Sequence, residues 1–453
     1  MKGNLIEWSS FNSLPPNNNR AVFIFIHSKK SRLSLKMENE IFTDGRVADI
    51  LNMEFTNIKI DRYIDTDLFK YYRNLYKLMN RRDGNEPICI FATESLEPFY
   101  ATGYMPKSSR GDILGFRELL DIVLDKYRVE RDTLIETGKE IIGHLNRKES
   151  KIQATKFDLN ILNRTLKLHI EELFDKRYGG FGDEIKFLNS SVLDLMLSLD
   201  GEERDLALFT LKSMAEGGIF NSKWFYRYGT ESWDYATSES LNYQNGLMAK
   251  VYIRAYEISK DSTFKDVATN ILDNIEVEGL TSLDSIIADA LLYGARFDSR
   301  YLTRALSILD TILSERYINR VLYHIDGIDG YLEDFAYLGL ALLNSYRISG
   351  SGDYLIFSQN ILNLAIETLY EGGRWRFSNR IELYEDIYDI DYPSSISIIV
   401  ELMEQIMEFV EEDYSSIISR TLQINSYSLM RQPLSSPNLA KVLRVHLKGE
   451  KRC

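Results

Sequence analysis

Nine acidic, basic or aromatic residues lie on or beside four long connecting segments in the second half of the chain. Carboxylates act as acids and bases in the cleavage of glycosidic bonds, and aromatic faces pack against the apolar faces of sugar rings. This set predicts a site for a polyhydroxylated molecule. The expected binding residues are Arg227, Tyr228, Trp233, Tyr243 and Trp375, and the catalytic candidates are Glu239, Glu333, Asp334 and Asp391.

Two kinds of chemistry are open to these residues. Hydrolysis would pair a glutamate of the set with one of its aspartates. Epimerisation next to a carbonyl usually needs a histidine base, and His324 is the one histidine near these segments. A structural interpretation also stays open, because the helix dipole favours acidic residues at a helix start, and the two tryptophans would then fill the interior.

No metal or other cofactor is expected. The five histidines, at 27, 144, 169, 324 and 446, never stand four residues apart or at another ligand spacing. The acidic segments 326–330 and 384–391 lack the spaced oxygen ligands of an EF-hand loop. Solvated loop carboxylates are the simpler interpretation.

Two serines, Ser31 and Ser34, follow an apolar run at the spacing that two cysteines have in thiol–disulfide proteins. A hydroxyl cannot form a disulfide, so we expect these residues to make hydrogen bonds, with Ser34 as the N-cap of a helix. His27 is expected to pack at the end of a strand. Cys89 lies inside an apolar run, where a free cysteine behaves as a small hydrophobic residue.

The charge balance limits the kinds of partner. The 453 residues carry a formal net charge of −13, with acidic residues throughout, so neither nucleic acid nor an anionic membrane is expected to bind. No apolar run is long enough to span a bilayer, and the first residues lack the apolar segment of a signal peptide. We therefore expect a soluble, cytoplasmic protein.

The elements that position these residues fall into two regions with different periodicity. In the first, short apolar runs alternate with amphipathic stretches, and the order β-α-β-α-β-β predicts a small mixed sheet with helices packed against it. Strands are predicted at 21–27, 55–61 and 87–93, helices at 34–52 and 65–79, and a hairpin at 96–105. Pro87 fits the first position of a strand because it cannot donate to a central ladder.

The second region is helical from about residue 112 to 448. Two linker helices are followed by about twelve amphipathic helices, which predict six hairpins closed into a ring with a concave centre. Long loops concentrate binding residues, so we expect the site at the mouth of the ring that they surround. These long connections are 175–187, 216–240, 324–334 and 371–394.

Both regions carry motifs that resemble one family, the thioredoxin-domain proteins typified by spermatogenesis-associated protein 20. In the first region the motifs are "MENEIFTDGRVADILNMEFTNIKIDR" (37–62) and "EPICIFATESLEPFYATGYMP" (86–106). In the second they are "FDKRYGGFGDEIKF", "GGIF" with "RYGTESW", "GYLEDFAYL" and "DYPSSIS". The resemblance implies a thioredoxin-like fold at 1–110, linker helices at 111–150 and an (α/α)6 toroid at 151–453, distantly like N-acylglucosamine 2-epimerases.

The chain lacks characteristic residues of two motifs of the family. The family's Cys-x-x-Cys falls on Ser31 and Ser34, so both redox thiols are absent, and Pro87 takes the position of the family's cis-proline. The family's HFEKMLYDN falls on 237–245, which keeps Glu239, Tyr243 and Asn245 but loses the histidine, lysine and aspartate. The resemblance alone would imply an oxidoreductase, which the serines contradict.

These observations predict a redox-inactive protein that binds a sugar-like small molecule, or a protein partner, in the barrel cleft. Its thioredoxin-like domain would dock a partner protein or brace the barrel. The alternative is a carbohydrate-active enzyme, either a glycoside hydrolase or a protein similar to a sugar epimerase, that uses the carboxylates of the mouth. Convergence of two of these carboxyl groups to about 5–10 Å would favour the enzyme.

Overall fold

A computed structural model describes residues 5–11, 19–145 and 155–449. The chain divides into two compact units, Met1–Lys151 and Ile152–Cys453. Among the described residues, no helix combines the length and the apolar character that crossing a bilayer requires.

In its described residues, the first unit is a five-stranded mixed sheet with helices. The strands are β1 Trp8–Ser9, β2 Ala21–His27, β3 Phe55–Asp61, β4 Ile88–Ala92 and β5 Pro98–Thr102, and the helices are α1 Arg32–Glu40, α2 Gly45–Glu54, α3 Thr66–Asn80 and α4 Phe116–Leu145. The sheet order is β1-β3-β2-β4-β5, with β1, β3 and β2 parallel and the other pairs antiparallel. This arrangement confirms the predicted thioredoxin-like fold.

The helix predicted at 34–52 is wrong in one respect, because two helices occupy this stretch. The first one ends at Glu40, and the Asp44 carboxylate then accepts a hydrogen bond from the Val47 amide and caps the second. An aspartate at an N-cap satisfies one of the amides that a helix start leaves without a partner. The Asp-Gly pair at 44–45 carries this signal in the sequence.

The segment predicted as linker helices contributes to the core of the first unit. Helix α4 is interrupted at Glu130, where φ is −118° and ψ is 23°. Its first half places Phe116 and Leu120 in the same buried cluster as Phe23 and Phe91 of the sheet. Phe116 meets Phe23 edge to face at 5.7 Å, so this helix covers one face of the sheet.

Within residues 155–449, the second unit forms a ring of twelve helices. They are α5 Leu159–Leu173, α6 Ser190–Ser198, α7 Glu202–Glu216, α8 Asn242–Ser259, α9 Ser262–Asn274, α10 Thr281–Gly294, α11 Ser299–Glu315, α12 Leu332–Ser349, α13 Gly352–Leu369, α14 Ser395–Ile406, α15 Ser415–Arg431 and α16 Pro437–Lys448. Six of them, α6, α8, α10, α12, α14 and α16, contact one another in that order, and α16 returns to α6. The predicted (α/α)6 barrel is therefore confirmed.

Burial separates the inner helices from the outer ones. In α10 nearly every residue is buried, whereas α11 buries one stripe, at Tyr301, Ala305, Leu309 and Ile312. A helix that is buried all round belongs to an interior, and an amphipathic helix covers it. Since each outer helix returns the chain, all the inner helices run in one direction and their N-termini share one end of the barrel.

Short hairpin strands lie in the long connections at that end. They are β6 Ile185–Phe187, β7 Tyr228–Thr230, β8 Tyr317–Ile318, β9 Val321–Ile325, β10 Ile328–Asp329, β11 Tyr370–Glu371 and β12 Arg374–Trp375. The hydrophobic pattern of these connections predicts long loops and no strands, so the hairpins are a difference from the prediction. We call this end, with the N-termini of the inner helices, the barrel mouth.

Candidate functional site

The position of the family's redox pair is filled by two serines with engaged hydroxyls. Ser31, not Ser34 as predicted, is the N-cap of α1, because its Oγ accepts a hydrogen bond from the Ser34 amide at 3.3 Å. Ser31 Oγ also donates to the Glu86 carbonyl at 3.2 Å, next to the cis Glu86–Pro87 bond. Ser34 Oγ accepts from the Ser28 amide at 3.3 Å. Through these hydrogen bonds, both serine hydroxyls stabilise the start of α1.

Charged residues surround the end of β2 near these serines. His27 Nδ1 lies 3.1 Å and Lys59 Nζ 3.2 Å from Glu38 Oε1. Burial opposes ionisation of Glu38, but the nearby imidazole of His27 and the charge of Lys59 outweigh it and lower the pKa of this carboxyl. In the same sheet, burial raises the pKa of the Cys89 thiol far above its ordinary value, so Cys89 supplies no thiolate.

At the barrel mouth, one arginine joins two of the predicted carboxylates. Arg227 Nη1 lies 3.5 Å from Glu239 Oε2, and Nη2 lies 3.5 Å from Asp391 Oδ1. All three side chains are largely buried. The loop that carries Arg227 is fixed by Asn245, whose side chain accepts from the Phe225 amide at 2.6 Å and donates to the Phe225 carbonyl at 3.0 Å.

A second group of contacts surrounds Glu333, in the first turn of α12. Tyr392 donates its hydroxyl hydrogen to Glu333 Oε2 at 2.7 Å, and Ser282 Oγ donates to Oε1 at 3.2 Å. The rings of Tyr392 and Tyr243 meet edge to face at 5.6 Å. Since Tyr392 directly follows Asp391, these contacts connect Glu333 with the arginine and its two carboxylates. We call Arg227, Glu239, Tyr243, Glu333, Asp391 and Tyr392 the mouth cluster.

Asp334 faces a different set of partners. Its Oδ1 accepts from the Ser282 amide and its Oδ2 from the Tyr331 amide, each at 2.8 Å. His324 Nδ1 lies 2.9 and 3.0 Å from the same two oxygens. Asp334 therefore caps α12, as the helix-dipole interpretation allowed, and at the same time orients a histidine of β9.

Three of the predicted binding residues lie outside the mouth cluster. Trp233 and Trp375 are fully buried, and their indole nitrogens donate to the Tyr178 carbonyl at 3.0 Å and to Thr421 Oγ1 at 3.1 Å. Tyr228 packs its ring on Phe187 at 5.5 Å. The prediction that the two tryptophans stack on a ligand has no support in the structure, because both faces are covered by protein.

Sequence reasoning missed Tyr392, Ser282 and Asp389. Burial raises the pKa of Tyr392 well above its ordinary value, and the negative charge of Glu333 acts in the same direction. Burial also raises the pKa of Asp389 to about 7, although this carboxyl accepts hydrogen bonds from the Ser394 and Asn438 amides. The feature of the sequence that could have identified Tyr392 is its position next to Asp391, a predicted catalytic residue. Nothing local distinguished Ser282 among the many serines of the chain.

The fold and site together define a thioredoxin-like domain followed by an (α/α)6 barrel with a polar mouth. Residues 4–146 match the family model Thioredox_DsbH, described as a protein of unknown function, DUF255. The first unit is thus a thioredoxin-like domain of this kind.

The chain is homologous to spermatogenesis-associated protein 20, with 28% identity to the rat protein over 272 residues and 27% to the human protein over 273. Each match covers 57% of this chain and 34% of the relative, so the chain spans about a third of the length of these relatives.

Solved structures share the barrel fold. A sugar epimerase from a ruminal bacterium aligns with 65% of this chain and 100% of its own, at a TM-score of 0.53 and 10% identity. Cellobiose 2-epimerase from Bacillus thermoamylovorans aligns with 64% of this chain and 99% of its own, at a TM-score of 0.53 and 11% identity. At this level of identity the likeness concerns the fold alone.

Proposed function

We propose that this chain binds a small polyhydroxylated, carbohydrate-like molecule at its barrel mouth, and that its thioredoxin-like domain performs no thiol–disulfide exchange. The observation that carries the first part is the mouth cluster itself, in which five of the nine residues predicted from the sequence are joined through Arg227 and Tyr392. The likeness of the fold to two sugar epimerases adds support.

The chemistry of the mouth cluster suits hydroxyl groups. Ionised carboxylates accept hydrogen bonds from hydroxyls, and a guanidinium offers five donors in a fixed plane. The rings of Tyr243 and Tyr392 add apolar surface for the carbon faces of a sugar. The N-termini of the inner helices point their amides toward the same end.

Binding is favoured over hydrolysis by the arginine between the two carboxylates. A glycosidase needs two carboxyl groups that flank the scissile bond. Here Arg227 lies 3.5 Å from both Glu239 and Asp391, so the two acids face a guanidinium that stands between them. The alternative of a carbohydrate-active enzyme is motivated by the convergence of these two acids, and product analysis with each sugar that binds would reveal it.

A thermal-shift screen of mono- and disaccharides tests the binding proposal. A ligand at 100 times its Kd stabilises the native state by about 2.7 kcal/mol, so a true ligand raises Tm. We expect Arg227→Met to abolish this rise, because it removes the group that joins Glu239 and Asp391. Arg300→Met, at an exposed arginine of the same unit, is the control and should keep the rise.

If Arg227→Met lowers the Tm of the free protein so far that binding is unreadable, Glu239→Gln serves in its place. It keeps the shape of the side chain and removes its charge. A sugar that stabilises both variants as much as the unaltered protein would show that the mouth cluster is not the binding site.

The second part of the proposal predicts no turnover in an insulin-reduction assay with dithiothreitol. Serine oxygen cannot form the mixed disulfide through which exchange proceeds, and Cys89 is fully buried. The unaltered chain should match the rate of the blank. The double variant S31C/S34C, which has both thiols of the family's motif, is the comparator. Turnover above the blank by the unaltered chain that is retained in Cys453→Ser would contradict the proposal, because this variant keeps Cys89 and the two serines of the thioredoxin-like domain.

A further inference from the structure

We propose that His324, Glu333 and Asp334 form a binding site for a divalent transition-metal ion. Each residue offers one nitrogen or carboxylate oxygen, and these three atoms lie within 4.8 Å of one another. All three residues are at most 1% exposed. The inference goes beyond the proposed sugar binding and does not depend on it.

The distances within the group fit neighbouring ligands of one ion. Zinc–nitrogen and zinc–oxygen bonds are about 2.1 Å long, so two ligands at right angles lie about 3 Å apart and tetrahedral ligands somewhat farther. His324 Nδ1 lies 2.9 and 3.0 Å from the two oxygens of Asp334. An ion that replaces the proton between them requires little movement of either side chain.

The ligands are held in place by surrounding groups, as they are in metal sites generally. Asp334 is fixed by the backbone amides of Ser282 and Tyr331. Glu333 is fixed by the hydroxyls of Ser282 and Tyr392. Because these side chains are already ordered, binding an ion costs little conformational entropy.

Two elements bring the ligands together, which is why the sequence spacing gave no indication of a site. His324 lies in β9, and β10 turns the chain back so that α12 begins at Leu332 with both acids in its first turn. The ring of Tyr331 then packs 4.8 Å from the imidazole of His324. One imidazole with two carboxylates, and no thiolate among them, suits zinc or manganese.

Metal binding is tested on the full chain after dialysis against EDTA, with no sugar present. Titration with zinc chloride in a calorimeter, and elemental analysis of the dialysed complex, should give one tightly bound zinc per chain. His324→Ala and Glu333→Gln should abolish this binding. Tyr392→Phe, which removes one support of Glu333, should weaken it about tenfold. His446→Ala is the matched control and should change nothing, since it removes an exposed histidine that pairs with Glu404.

Folding of the variants is followed by near-UV circular dichroism. If His324→Ala and Glu333→Gln lose the native spectrum, cobalt(II) is added to the unaltered chain instead. The visible absorption of bound cobalt reports ligation by nitrogen and oxygen directly, so it tests the site without a variant. Failure of zinc, manganese and cobalt to bind the unaltered chain would overturn the inference. So would a loss of binding in His446→Ala equal to that in His324→Ala. Because no sugar is present, either outcome leaves the proposed function untouched.

Discussion

Replacing Asp334 with alanine will lower the free energy of unfolding by about 3 kcal/mol or more, because each buried donor left without its acceptor costs about 1–3 kcal/mol and Asp334 serves several. The carboxylate is fully buried, and its loss leaves the amides of Ser282 and Tyr331 without an acceptor. It also removes the group that orients His324. Urea denaturation in the presence of EDTA measures this effect apart from any bound metal.

The matched control for this variant is Asp298→Ala. Asp298 also caps a helix, since its carboxylate accepts from the Arg300 amide at 2.8 Å, but its side chain is about a third exposed. An N-cap of this kind contributes about 1 kcal/mol. If the two variants lost equal stability, Asp334 would be no more than an ordinary cap.

Replacing Trp233 with alanine will cost about 3–5 kcal/mol, as expected for removal of a large aromatic side chain from a core. Its indole donates to the Tyr178 carbonyl and lies 5.4 Å from the Lys186 ammonium, which is itself fully buried. Gly180 packs so closely that a Cβ at this position would come within 2.6 Å of the indole ring. The variant therefore leaves a cavity whose walls cannot collapse freely.

Trp224→Ala is the matched control, because Trp224 is 37% exposed. We expect a change of about 0.5 kcal/mol or less for it, as for other surface substitutions. Thermal melts and urea titrations of both variants supply the comparison. A stable Trp233→Ala that fails to bind a sugar hit would instead reinstate the stacking role predicted from the sequence.

The fold was largely predictable because hydrophobic periodicity is a local signal. The strands predicted at 21–27 and 55–61 coincide with the observed β2 and β3. Caps are harder to assign, since the choice between Ser31 and Ser34 depends on which hydroxyl reaches which amide. The division of 34–52 into two helices rested on one capping side chain, that of Asp44.

The site was predictable in part, for a physical reason. Arg227, Glu239 and Asp391 stand out because long connections lead into the N-termini of inner helices, where polar side chains face the mouth. Trp233 stands in the same connections, yet its apolar ring is drawn into the interior. His324 meets Asp334 only after a hairpin has returned the chain, which is a tertiary event that spacing in the sequence does not record.

The closure of the inner ring affects how the chain folds during synthesis. The final inner helix packs against α6, where Lys441 Nζ lies 2.5 Å from Asp194 Oδ2 and Arg444 donates to the Ser198 hydroxyl at 3.1 Å. These partners are separated by about half of the polypeptide. The inner ring therefore cannot close until the ribosome has synthesised α16, which ends at Lys448. Until then, the apolar faces of the first and last helix hairpins lack their packing partners and are accessible to chaperones.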